Sequence, residues 1–212
     1  MGKFSKGILG HFSGTVGTVV GSTWRGIGYM RSKANKKTGA ATQGQLEQQL
    51  KFSLMIKFLQ TLKGLLEITY QNYAVNMTGS NSALSFNLKN AITGVYPAFA
   101  IDYSIVLLSR GDLPNATGPA ASAGAAGKVN FTWTNNAGTG KAADTDVAVL
   151  IVYCPDKALS IYTTNGAARN AGTDLFDVTA FSGKTVQTWL AFISADGNEI
   201  SNSVFTGQVN VV

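Results

Sequence analysis

From residue 128 to the C-terminus the chain repeats one short pattern, a run of β-branched and aromatic residues followed by a cluster of Gly, Asn, Asp or Pro. The runs fall at 128–134, 146–154, 159–163, 173–179, 185–194 and 203–211. Asn165-Gly166 and Asp196-Gly197 supply tight-turn dipeptides between them. Short strands at this spacing predict an immunoglobulin- or fibronectin-like β-sandwich, with Trp133 and Trp189 as its large core residues. Cys154 ends an apolar run (149–154) and is the one cysteine of the chain, so no intrachain disulfide forms. It reads as a buried, inert thiol.

The front half reads differently. Glycine recurs at 2, 7, 10, 14, 17, 21, 26 and 28, and β-branched and aromatic residues at 15–20 and 23–31 flank Gly21-Ser22. That pattern predicts a hairpin turning at Gly21-Ser22, with Trp24, Ile27 and Tyr29 on its second strand. Residues 32–41 form a polar, basic connector. Thr42 and Gln45 then make a capping-box pattern, and a helical signal runs from there to about Tyr73. Leu46, Leu50, Leu54, Phe58, Leu62, Leu65 and Leu66 recur at three- and four-residue steps. Phe52, Met55, Ile56, Leu59 and Tyr70 widen the apolar face until most of the circumference needs cover. A second helix is expected over 82–92 with Gly94 as its C-terminal cap, then a strand over 99–109. The fold class is α+β, in three parts: a basic hairpin and helical segment at 1–109, a Gly/Ala/Pro-rich linker at 110–127 and the sandwich at 128–212.

Charge separates the two halves. Through Lys63 there are ten Lys/Arg against one acid, Glu47, whereas from residue 105 onward six basic residues face eight acidic ones. Charged residues make up 13% of the chain, about half the usual share of roughly 25%. A surface this poor in charge has little like-charge repulsion to hold copies apart. The expected function is therefore a non-enzymatic structural protein that self-assembles into homo-oligomers, as in a virion, filament or other repetitive particle. Its assembly interface is expected on Leu46, Leu50, Leu54, Phe58, Leu62 and Leu65. The alternative is a nucleic-acid or anionic-surface binding module using Arg25, Arg31, Lys33, Lys36 and Lys37, interleaved with Phe4, Phe12, Trp24 and Tyr29. Against that stands a solvated arm that orders on neighbouring subunits. Lys51, Lys57 and Lys63 sit six residues apart and scatter around the helix axis, so they form no basic stripe.

Enzyme signatures fail. His11 is the one histidine and lies far from Cys154 in sequence, which leaves no Ser/His/Asp or Cys/His pattern. No His/Cys cluster suits zinc, and Asp144, Asp146 and Asp156 lack EF-hand spacing, so no metal, cofactor or catalytic residue is expected. Residues 17–23 and 138–141 each miss parts of a phosphate-loop pattern and read as turns. Arg110-Gly111-Asp112 spells an adhesion tripeptide, a weak match. No stretch approaches eighteen apolar residues, so no membrane span is expected. The N-terminal residues form no secretory signal, which predicts cytoplasmic synthesis.

Several segments together carry a resemblance. Trp24-Arg25-Gly26 with Tyr29 and Arg31-Ser32, Lys51-Phe52, 87–92 (NLKNAI) with Gly94 and Tyr96-Pro97, Ser109-Arg110-Gly111 with Leu113-Pro114, Ser194-Ala195-Asp196-Gly197 and Ser201-Asn202-Ser203 are similar to domain of unknown function 6266. The likeness spans nearly the whole chain and implies no activity. The chain departs from it at 34–38, where prolines are expected and none stand.

Overall fold

The apolar run ending at Cys154 folds as strand β9 (Val147–Cys154), and every residue from Ala148 on is buried. A strand apolar on both faces must be covered on both. With β10 (Leu159–Thr163), β12 (Thr185–Ile193) and β13 (Val204–Asn210) it forms an antiparallel sheet in the order β10-β9-β12-β13. Strands β7 (Thr117–Ala123), β8 (Lys128–Thr134) and β11 (Thr173–Asp177) form a second sheet, ordered β11-β8-β7. Between the sheets lie Leu150, Val152 and Cys154 of β9, Leu190 and Phe192 of β12, and Val129, Phe131 and Trp133 of β8. This is a β-sandwich-like pair, and its six expected strands stand within a few residues of where the sequence placed them.

The opposite face of the central sheet carries Val149, Ile151, Tyr153, Trp189, Ala191 and Ile193, and helices cover it. They are α1 (Gln43–Gln60), α2 (Lys63–Thr69) and α3 (Gly79–Asn90). Phe58 of α1 stands edge-on to Tyr153 at 4.7 Å between ring centres and tilts against Trp189 at 6.2 Å. Met55, Leu59, Leu62, Leu65, Leu66 and Tyr70 fill the same layer. The unit is thus three layers deep: helices, four-stranded sheet, three-stranded sheet.

Two helical expectations change. The single long helix is two, because Thr61 and Leu62 bond back three residues, to the Phe58 and Leu59 carbonyls at 3.2 and 3.1 Å. The Thr61 hydroxyl also donates to the Phe58 carbonyl at 2.7 Å, ending the first ladder. Gly94 does not cap α3, which ends at Asn90 with Ala91 as its C-cap; it lies in β5 (Ile92–Val95), paired with β6 (Ala98–Ile101).

The stretch expected as a linker at 110–127 contains β7, and the strand expected over 99–109 stops at Ile101. Between them the chain crosses the molecule as an irregular strap whose backbone is bonded by side chains. Asn87 is fully buried; its amide donates to the Leu107 carbonyl at 2.8 Å and its carbonyl oxygen accepts from the Leu107 N–H at 2.9 Å. The Thr69 hydroxyl donates to the Leu108 carbonyl, and the Ser203 hydroxyl accepts from the Leu108 N–H. Helical layer and sandwich therefore share one fold, and the boundary expected between residues 109 and 128 gives way to a division into Met1–Thr42 and Gln43–Val212.

The structure, a computed structural model, describes residues 2–4, 10–24, 26–35 and 39–212. In the Met1–Thr42 unit, β1 (Lys3–Phe4), β2 (Phe12–Val16), β3 (Val19–Trp24) and β4 (Ile27–Ser32) pair in sequence order, all antiparallel. The chain turns at 17–18, and Gly21 and Ser22 lie inside β3, paired with Met30 and Tyr29 of β4, so the hairpin expected to turn at Gly21-Ser22 is replaced by this meander. Gly21 sits mid-strand for a packing reason: β2 bends at Gly14 (φ 114°), and the Phe12 ring and carbonyl lie where a side chain at 21 would stand.

Candidate functional site

The interface expected along the helix divides in two. Phe58, Leu62 and Leu65 are buried in the chain's own core, so they are not available to a partner. The first buried residue of α1 is Met55. Ahead of it, Leu46, Leu50 and Phe52 are 37%, 42% and 44% exposed, and Leu54 is half-buried. Leu46, Leu50 and Leu54 stand four residues apart and share one face.

That face adjoins the β5–β6 hairpin. Leu50, Ser53, Leu54 and Lys57 of α1 line a shallow hollow of about 190 Å³ with Pro97 and Phe99. The Lys51 ammonium lies 4.8 Å from the centre of the Phe99 ring. Val95 at the hairpin's tip is 79% exposed. Glutamines 45, 48 and 49 with Phe52 line a second hollow on α1. The surface is apolar and amide-rich, with Glu47, Lys51 and Lys57 supplying both signs of charge.

The residues expected for nucleic-acid binding are only partly described. Arg31 and Lys33 are exposed, on and just after β4. Arg25, Lys36 and Lys37 lie outside the described residues.

Other sequence candidates are occupied. Cys154 is fully buried. Asp146 accepts from the Arg169 Nε at 3.0 Å, Asp144 from the Asn135 amide, and Asp156 pairs with Lys184, so these acids do not converge. Among the described residues no group of three or more His, Cys, Asp or Glu gathers. The Arg110 guanidinium stacks 4.3 Å from the centre of the Tyr73 ring, Gly111 is buried, and Asp112 accepts from the Tyr73 hydroxyl at 3.2 Å, so the tripeptide is no free loop tip. No helix among the described residues is long and apolar enough to cross a membrane.

Sequence reasoning missed Arg169. It is fully buried, pairs with Asp146, donates through Nη2 to the Pro114 carbonyl at 3.0 Å and lies 3.9 Å from the centre of the Phe192 ring. Burial pushes its pKa down and the Asp146 charge opposes the shift. No periodicity marks such a residue in a loop. Tyr70 is also missed as a polar group: burial raises its pKa, so the hydroxyl stays protonated and donates to the Leu107 carbonyl. Among the described residues, every buried side-chain nitrogen and oxygen has a partner. Arg169 and Tyr70 are structural.

Fold and surface define a helix-covered β-sandwich protein preceded by a small basic sheet. The chain belongs to a family of unknown function (DUF6266), whose sequence profile matches residues 11–207. Curated proteins give no match. Among solved structures, the fibronectin type III domain of the human collagen α-1(XX) chain is similar at 13% identity and a TM-score of 0.33, over 49% of this chain and 91% of that one.

Proposed function

We propose that this is a non-enzymatic structural protein that assembles with copies of itself through the first three turns of α1 and the adjoining β5–β6 hairpin, as the building block of a virion, filament or other repetitive particle. The observation that carries the reading is that Leu46, Leu50 and Phe52 stay exposed on the first turns of a helix that seats Met55, Phe58 and Leu59 in the core further on. Removing apolar surface from water is favoured by about 25 cal/mol per Å². A second copy fits this surface because Glu47 and Lys51 lie on it side by side. A two-fold pairing can then set the acid of one copy near the base of the other. Leu50→Asp places a charge in that contact while leaving the core residues untouched. Sedimentation at micromolar concentration is expected to show oligomers of the natural chain and monomers of the variant. A natural chain that stays monomeric at high micromolar concentration would overturn the reading.

A further inference from the structure

We infer that the open face of the N-terminal sheet binds single-stranded nucleic acid, independently of the assembly surface on α1. Register places the residues. Trp24 pairs with Ile27, Ser22 with Tyr29 and Val20 with Arg31, so all six share one face. Part of the other face is taken by the chain itself: a side chain at 21 would collide with Phe12 and one at 28 with the Cβ of His11, while Met30 on that face stays exposed. Gly21 and Gly28 thus mark the side on which His11 and Phe12 lie. On the free side Trp24, Ile27 and Tyr29 remain 51%, 67% and 43% exposed.

Trp24 and Tyr29 are diagonal neighbours across β3 and β4, with Cβ atoms about 7 Å apart by sheet geometry. That separation matches two successive unstacked bases, each able to lie on one ring. Arg31 closes the row, and exposed Lys33 follows it. Charge decides among occupants. The first 42 residues carry Lys3, Lys6, Arg25, Arg31, Lys33, Lys36 and Lys37 and no acid, a formal +7. A second copy of this sheet would meet like charge. Residues 43–212, with ten bases and eleven acids, offer only a formal −1. A polyanion with flat, stackable groups satisfies both the cations and the rings.

The test uses the full chain and a fluorescent oligothymidylate of about fifteen nucleotides, read by anisotropy between about 50 and about 200 mM salt. Binding is expected to weaken with salt, and Trp24→Ala and Tyr29→Ala each to lower affinity about tenfold or more. Trp24→Phe, which keeps a ring, is expected to retain most of it. Arg31→Ser and Lys33→Ser are expected to flatten the log–log salt slope by about 0.7 each. No binding at the lower salt, or binding that Trp24→Ala leaves unchanged, would overturn the inference. So would equal affinity for duplex DNA, or for phosphatidylserine vesicles of matched charge, since neither offers unstacked bases.

Discussion

A chain beginning at residue 105, which keeps both sheets and drops all three helices, is expected not to fold. The cut bares the central sheet's helix-facing side, where Val149, Ile151, Trp189 and Ala191 are fully buried and Tyr153 and Ile193 nearly so. Each large apolar side chain loses about 1.5–3 kcal/mol on exposure, which over five of them is on the order of 10 kcal/mol. Whole domains are stable by about 5–15 kcal/mol, so the loss matches everything available. Asn87 and Thr69 also go, which leaves backbone groups of Leu107 and Leu108 without their partners. The assay is urea unfolding followed by tryptophan emission, with near-ultraviolet circular dichroism as a check on fixed packing. The truncated chain should show solvent-exposed emission from Trp189 and no cooperative transition, whereas a chain beginning at Gln43 should unfold cooperatively. Cooperative unfolding of the shorter chain with Trp189 shielded would refute the three-layer reasoning and restore an autonomous sandwich.

Arg169→Ala strands Asp146 as a buried charge and should cost about 3–5 kcal/mol in urea unfolding. Replacing both partners with apolar residues, Arg169→Met with Asp146→Leu, should cost clearly less than the single change. Asn87→Ala removes both bonds to the Leu107 backbone and should cost about 1–3 kcal/mol, checked by the same unfolding curves. Acid should destabilise the protein through Glu67, Asp177 and Asp196. Burial pushes the Glu67 carboxyl up, but hydrogen bonds from the Ser80 hydroxyl and the Gly79 and Ser80 N–H groups outweigh it and hold it low. The Thr179 N–H and hydroxyl hold Asp177 low, and the Ser194 hydroxyl and Asn198 hold Asp196 low. Lowered folded-state pKa values give stability that is present above the unfolded carboxylate range, near pH 4, and lost as pH falls through it. The urea midpoint should hold from about pH 7 to 5 and drop below about pH 4, with a smaller drop for Asp177→Asn.

The sandwich strands were legible because alternation and turn dipeptides are local signals. Strand β7 was not: its sequence, TGPAASA, has small residues and a proline, and pairing with β8 makes it a strand against its propensity. The strap was invisible for a similar reason. Its backbone is bonded by Asn87, Thr69 and Ser203, up to 95 residues away, and no window of sequence contains that arrangement. The helix is legible as apolar, but sequence alone does not say that Phe58, Leu62 and Leu65 are covered by the chain's own sheet rather than by other copies. The near-continuous apolar runs in β9 and β12 signal a sheet buried on both faces, and they were the clue that the chain covers most of that helix itself.

Two sets among the residues that carry the family resemblance stand apart once placed in the fold. Asn87, Ser109, Arg110, Gly111, Leu113, Ser201, Asn202 and Ser203 meet at the strap, where they bond or pack against one another. The Ser109 hydroxyl donates to the Ser201 carbonyl, the Gly111 N–H to the Asn202 side chain and the Leu113 N–H to the Ile200 carbonyl. A side chain at 111 would run into the Ile200 carbonyl, which accounts for glycine there. This group needs no function beyond holding three layers together. Lys51-Phe52 and the set Trp24, Tyr29, Arg31 differ, since they contribute nothing to either hydrophobic core. Lys51-Phe52 stands on the uncovered head of α1, and Trp24, Tyr29 and Arg31 stand on the open face of the basic sheet. Packing at the strap accounts for the first set, whereas the second set lies outside both cores, on the surfaces proposed above for assembly and for nucleic-acid binding.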